Sequence, residues 1–100
     1  MVKVALLVRV EAKAGKEGQV AEFLQKALEL ANQETLTPVW YALRFGPSTF
    51  GIFDAFADEA GRKAHLAGPI AAALMAHAAE LLATAPEIQS VDILAEKLSA

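Results

Sequence analysis

The sequence predicts an α+β chain in the order β-α-β-β-α-β, with the second helix split in two. Three observations carry this. Apolar residues alternate with a period of two over 2–11. The period becomes helical over 16–32. A three-residue turn, Gly46-Pro47-Ser48, then joins two short apolar runs, and so short a connection makes them an antiparallel hairpin.

In the first strand Val2, Val4, Leu6, Val8 and Val10 share one face, and Lys3, Ala5, Leu7, Arg9 and Glu11 share the other. Ala12 to Gly15 is a short connection. Over Lys16 to Asn32 the stripe Val20, Phe23, Leu24, Ala27, Leu28, Ala31 faces a core, and Glu22 and Lys26 form an i,i+4 pair on the opposite side. The aromatic and branched run Val39 to Phe45 gives the second strand, and Thr49 to Phe56 the third. Asp58 offers an N-cap for a short helix through Leu66. Gly68-Pro69 breaks that helix and restarts another, with the proline in its first turn. Ile70, Leu74, His77, Ala78, Leu81 and Leu82 fall on its buried side, and Pro86 ends it. Ile88 to Leu98 reads as the last strand. This is the ferredoxin-like arrangement, one antiparallel sheet with helices on one face. The uncovered face carries apolar and aromatic side chains and calls for a cover, which a second copy of the chain can supply.

Composition bounds the function. A chain of 100 residues is expected to form one domain, spanning 1–100. Its 55% hydrophobic content excludes intrinsic disorder. A net charge of −3 argues against nucleic acid and against an anionic membrane surface. The absence of cysteine removes disulfide scaffolds, thiolate zinc sites and cysteine nucleophiles. The start of the chain does not read as a signal peptide, and the alanine-rich stretch 70–85 is too short to span a bilayer and carries His77 and Glu80. A soluble, cytoplasmic protein is expected.

Two segments, VRVEAKAGKEGQVAEFL (8–24) and FGIFDAFADEAGRKAHLAGP (50–69), carry a resemblance. The first has a strand, a Gly-Lys turn and a helix with an acidic-Phe pair. The second has a strand, an acidic residue, an aromatic, an acidic cap and a His-Leu pair. Together they resemble the antibiotic biosynthesis monooxygenase (ABM) domains, which form dimeric α+β barrels. The resemblance implies a homodimer whose sheets enclose cavities for a small aromatic ligand. It also implies an oxidoreductase that turns phenols or quinols into quinones with no metal or flavin cofactor.

Within that resemblance His65 matches the histidine of the His-Leu pair and is the candidate general base. The competing reading is a helix-ending histidine held by a carbonyl or by the helix dipole. As a base it is expected to be dispensable for folding, unlike Leu74. His77 reads as a packing histidine. A three-residue turn that sets Phe45 opposite Thr49 would set Trp40 opposite Asp54 and Arg44 opposite Phe50, with Trp40, Arg44 and Asp54 on one face. That face is expected to turn from the helices toward the partner, because Val39, Tyr41, Leu43 and Phe45 are available to the helices. Trp40 with Tyr41 or Phe53 would then bracket an aromatic ring, Arg44 would stabilise a phenolate, and Arg9 would be a second source of positive charge. A sheet-edge Arg–Asp ion pair beside a packed Trp is the plainer alternative.

Two function classes remain open on the sequence: a cofactor-independent monooxygenase, and a non-catalytic dimer that binds a small ligand. Haem binding through His65 is weaker. Haem-degrading relatives pair their His with a strand Asn and a Trp, whereas Phe56 stands at the third-strand aromatic position and no strand contains Asn.

Overall fold

The computed structural model describes residues 1–99. The elements are β1 (Val4–Glu11), α1 (Glu17–Asn32), β2 (Val39–Arg44), β3 (Thr49–Phe56), α2 (Glu59–Leu66), α3 (Pro69–Leu81) and β4 (Glu87–Asp92). The strands form one sheet in the order β2-β3-β1-β4, with every neighbouring pair antiparallel. The ferredoxin-like α+β arrangement with a split second helix is therefore the observed one.

Local chemistry sets the boundaries. Gly15, at φ 84°, takes the left-handed conformation that turns the chain from β1 into α1. Asp58 is extended and its carboxylate accepts the Gly61 N–H at 3.1 Å, capping α2. Pro69 opens α3, where an absent N–H costs nothing.

The core lies between the helices and the even-numbered side chains of the strands. Val8, Val10, Phe50 and Ile52 meet Val20 and Leu24 of α1 and Ile70, Leu74 and Leu81 of α3. The odd-numbered strand residues form an open face, on which Tyr41 and Phe45 are exposed and Leu7, Leu43 and Phe53 are half-buried.

The expected bounds of the third helix and the last strand, and the expected burial of Leu28 and His77, need correction. The third helix stops at Leu81 and does not run on toward Pro86. Leu82 turns extended and bridges Ala12, while the Ala83 N–H donates to the Glu11 carbonyl at 2.8 Å. Sheet pairing beyond the end of β1 thus captures the backbone that would have continued the helix. The last strand is six residues long and ends at Asp92, because its partner β1 begins at the pair Val4–Asp92. Ile93 makes one further bond, N–H to the Lys3 carbonyl at 2.9 Å, and Leu94 is fully in solvent. Leu28 is exposed at the edge of the α1 stripe, and so is His77, whose ring rests edge-on against Phe23 at 5.5 Å.

The hairpin register is the expected one: Trp40 pairs with Asp54 and Arg44 with Phe50. The face is the reverse of the expected one. Asp54 shares parity with Phe50 and Ile52, both in the core, so Trp40, Arg44 and Asp54 lie on the helix side, and Trp40 packs against the core. Tyr41 and Phe53 lie on the open side, so they cannot bracket one ring with Trp40.

Candidate functional site

Asp54 sits mid-strand in β3, between Leu6 of β1 and Trp40 of β2, and is 0% exposed. A carboxylate so placed has lost its water and needs a partner. The partner comes from above the sheet. His65, in the last turn of α2 and itself buried, brings Nε2 to 2.8 Å from Asp54 Oδ2. Its other ring nitrogen, Nδ1, lies 2.6 Å from Oε1 of Glu34 in the connection between α1 and β2. That same Glu34 oxygen accepts the Thr37 hydroxyl at 2.8 Å. The imidazole also leans on Phe56, with ring centroids 5.4 Å apart.

Electrostatics fix the charge of the ring. Burial pushes the imidazole toward its neutral form, but the two carboxylates, Asp54 ahead of Glu34, overcome this and raise its pKa from 6.5 to about 9. At neutral pH His65 is an imidazolium between two carboxylates. Polar atoms are nevertheless left over. Among the described residues no donor is aligned with either Asp54 oxygen or with Glu34 Oε2, and no acceptor meets the Trp40 indole N–H. The His65–Asp54 contact is thus a close ion pair that stands off the line of a regular hydrogen bond.

His65 is also a wall between two hollows. On the Asp54 side lies an apolar cavity of about 40 Å³, lined by Leu6, Val8, Ile52, Ile70 and Leu74 together with Asp54 and His65. On the Glu34 side lies an open cleft of about 250 Å³ between the α1–β2 connection and α2. The arrangement supplies a fixed positive charge and a carboxylate with spare acceptor capacity at the edge of an apolar pocket. Both imidazole nitrogens face carboxylates, so no ring lone pair is presented to a haem iron.

The remaining candidates are dispersed. Arg44 is exposed at the hairpin end, donating through Nε to the Gly46 carbonyl and through a terminal nitrogen to that of Pro47, each at 3.3 Å. Its guanidinium lies over the Phe50 ring, which makes it a brace for the turn and no neighbour of Asp54. Arg9 stands on the open face, 4.1 Å above the ring of Phe45. Tyr41 and Phe53 pair across β2 and β3 on that face. Reading the sequence missed Glu34. No periodicity marks a lone acid in the polar connection 33–38, and only the tertiary fold brings it to His65.

No family model and no curated protein matches the chain. Among solved structures, a protein of unknown function from Nitrosomonas europaea is 64% identical, with a TM-score of 0.96, over 100% of this chain and 97% of that one. A "putative antibiotic biosynthesis monooxygenase" from the same organism superposes with a TM-score of 0.81 at 16% identity, over 92% of this chain and 99% of that one. A second protein of that name, from Bacteroides thetaiotaomicron, gives 0.77 at 20% identity, over 99% and 96%. At such identities the last two establish likeness of fold. The first establishes kinship: the chain belongs to the same family as the Nitrosomonas europaea protein of unknown function.

Proposed function

We propose that this protein is a cofactor-independent monooxygenase of small electron-rich phenols, working as a homodimer. The observation that carries the reading is the wholly buried Asp54 carboxylate, ion-paired with the His65 imidazolium but with no aligned hydrogen-bond donor, at the wall of a small apolar cavity. The fold likeness to proteins named for antibiotic biosynthesis monooxygenases agrees with it.

The chemistry follows from the groups present. Triplet O2 reacts slowly with closed-shell organics but accepts one electron from a phenolate. Asp54 takes the phenolic proton and becomes the carboxylic acid. The His65 imidazolium stabilises the phenolate, and then the superoxide formed with the phenoxyl radical. The two radicals join as a ring peroxide, which takes back the proton held by Asp54. Loss of the ring C–H proton then breaks the O–O bond, so that one O2 oxygen stays on the ring as a carbonyl and the other leaves with both protons as water. Phenol plus O2 gives quinone plus water. The apolar walls keep bulk water from the intermediates. His65 therefore serves as a fixed charge, and the proton-accepting role assigned to it on the sequence passes to Asp54.

Dimerisation is proposed from the open face. Tyr41, Phe45, Leu43 and Phe53 form an apolar patch that a two-fold related copy would cover. Such an interface would bury on the order of 2,000 Å² in total. Light scattering is expected to give twice the 10.6 kDa of one chain, and the single-chain mass would remove this part of the proposal.

A non-catalytic small-ligand binder is the second reading. One observation favours it: the cavity, about 40 Å³, is well below the roughly 150 Å³ of an engineered cavity that admits benzene. Oxygen uptake with a panel of simple phenols and quinols separates the two. The oxygenase reading expects saturable uptake that falls to background in Asp54→Asn. No uptake with any of them, from a folded dimer, leaves the binder.

A further inference from the structure

The apolar cavity beside Asp54 opens toward solvent at one end. Three of its lining residues are also exposed to solvent: Leu66 at the end of α2, Met75 on α3 and Ile88 on β4. They are not equally free to move. Ile88 is branched at Cβ and held on a strand opposite Val8, and Leu66 is branched at Cγ and closes its helix. Met75 is unbranched, is 57% exposed, and stands one helical turn beyond Ala71, whose methyl leaves room on the same cavity wall. Displacing Met75 is therefore the cheapest way to enlarge the cavity.

The polar end of the cavity sets the other half of the selection. Asp54 offers acceptors with no aligned donor, and the walls are otherwise apolar apart from His65. A ligand must bring its own O–H to Asp54 and present an apolar body to the walls. Resting on the phenol-oxygenase reading, we infer that Met75 is the specificity-determining residue of this pocket. Its side chain swings aside to admit a single-ring phenol whose hydroxyl donates to Asp54, and the bulk that remains at the outlet keeps fused-ring phenols out.

The test uses binding alone. The chain has two methionines, Met1 and Met75, so methyl-labelled methionine gives two NMR signals. Phenol should shift the Met75 methyl saturably and leave Met1 still. Anisole, the same ring without the O–H, should bind about tenfold more weakly or worse, the scale of a lost bond to a charged group. For 1-naphthol, binding to the native protein should be weak and should improve about tenfold in Met75→Ala, read by calorimetry. Equal binding of phenol and anisole overturns the Asp54 contact without recourse to a variant. Equal naphthol affinity in the native protein and Met75→Ala overturns the gate. Phenol binding as described with no oxygen uptake leaves this pocket standing and removes the oxygenase. Oxygen uptake on fused-ring substrates, unaffected by Met75→Ala, does the reverse.

Discussion

On the helix side of the sheet a carboxylate, Asp54, is wholly buried and meets an imidazolium at 2.8 Å. On the open side a guanidinium, Arg9, stays in solvent and lies 4.1 Å over the ring of Phe45, which itself lies across Gly51. Both charges come from strands of the same alternating kind, one position apart in parity. Their energetics differ because water reaches only one of them. A buried charge depends on its partner for nearly all of its compensation, whereas an exposed one keeps its hydration and gains little from a contact. The helix side is thus where a single substitution should do most harm, and where chemistry has fixed charge to work with.

The largest effect is expected from His65→Ala. It strands the Asp54 carboxylate in the core, and chemical denaturation should show a loss of about 3–5 kcal/mol, the scale for breaking a buried pair from one side. A loss below about 1 kcal/mol would mean that Asp54 is compensated by some other means. The expectation that His65 is dispensable for folding is replaced by this one. Of intermediate size is Gly51→Ala on the open face. An added Cβ would lie 2.4 Å from the Val8 carbonyl oxygen and 2.8 Å from the Phe45 ring. The ring can swing away but the carbonyl cannot, so a melting curve should record a loss of about 1–3 kcal/mol. The smallest is Arg9→Ala, which gives up an exposed cation–π contact worth about 0.5–1 kcal/mol. If Arg9→Ala cost as much as His65→Ala, the contrast between the faces would fail.

The strands, the hairpin register and the split helix were legible because each has a local cause. The alternation over 4–10, the three-residue turn, the Asp58 cap and the Gly68-Pro69 break act within a few residues. The side of the sheet on which Asp54 falls was not legible from β2. That strand is apolar on both faces, with Trp40 and Ala42 on one and Val39, Tyr41 and Leu43 on the other, so parity alone leaves its orientation open. The signal was in β1, whose even-numbered face is uniformly apolar, but using it requires the long-range pairing of Leu6 with Asp54. Glu34 had no signal at all, since its role exists only once the connection folds back over α2. The end of α3 has no local signal, because a bridge partner 70 residues away, Ala12, competes for Leu82 more strongly than the helix does.

The pH dependence of stability has a definite sign. His65 has a folded-state pKa of about 9 against 6.5 in the unfolded chain. Its contribution is full below pH 6.5 and is lost as pH rises through about 9. The direct test is a nitrogen-15 NMR titration of the His65 ring. The account predicts both ring nitrogens protonated at pH 7 and a midpoint near 9. A neutral ring at pH 7, with a midpoint at or below 6.5, would contradict the buried imidazolium on which the proposed chemistry rests.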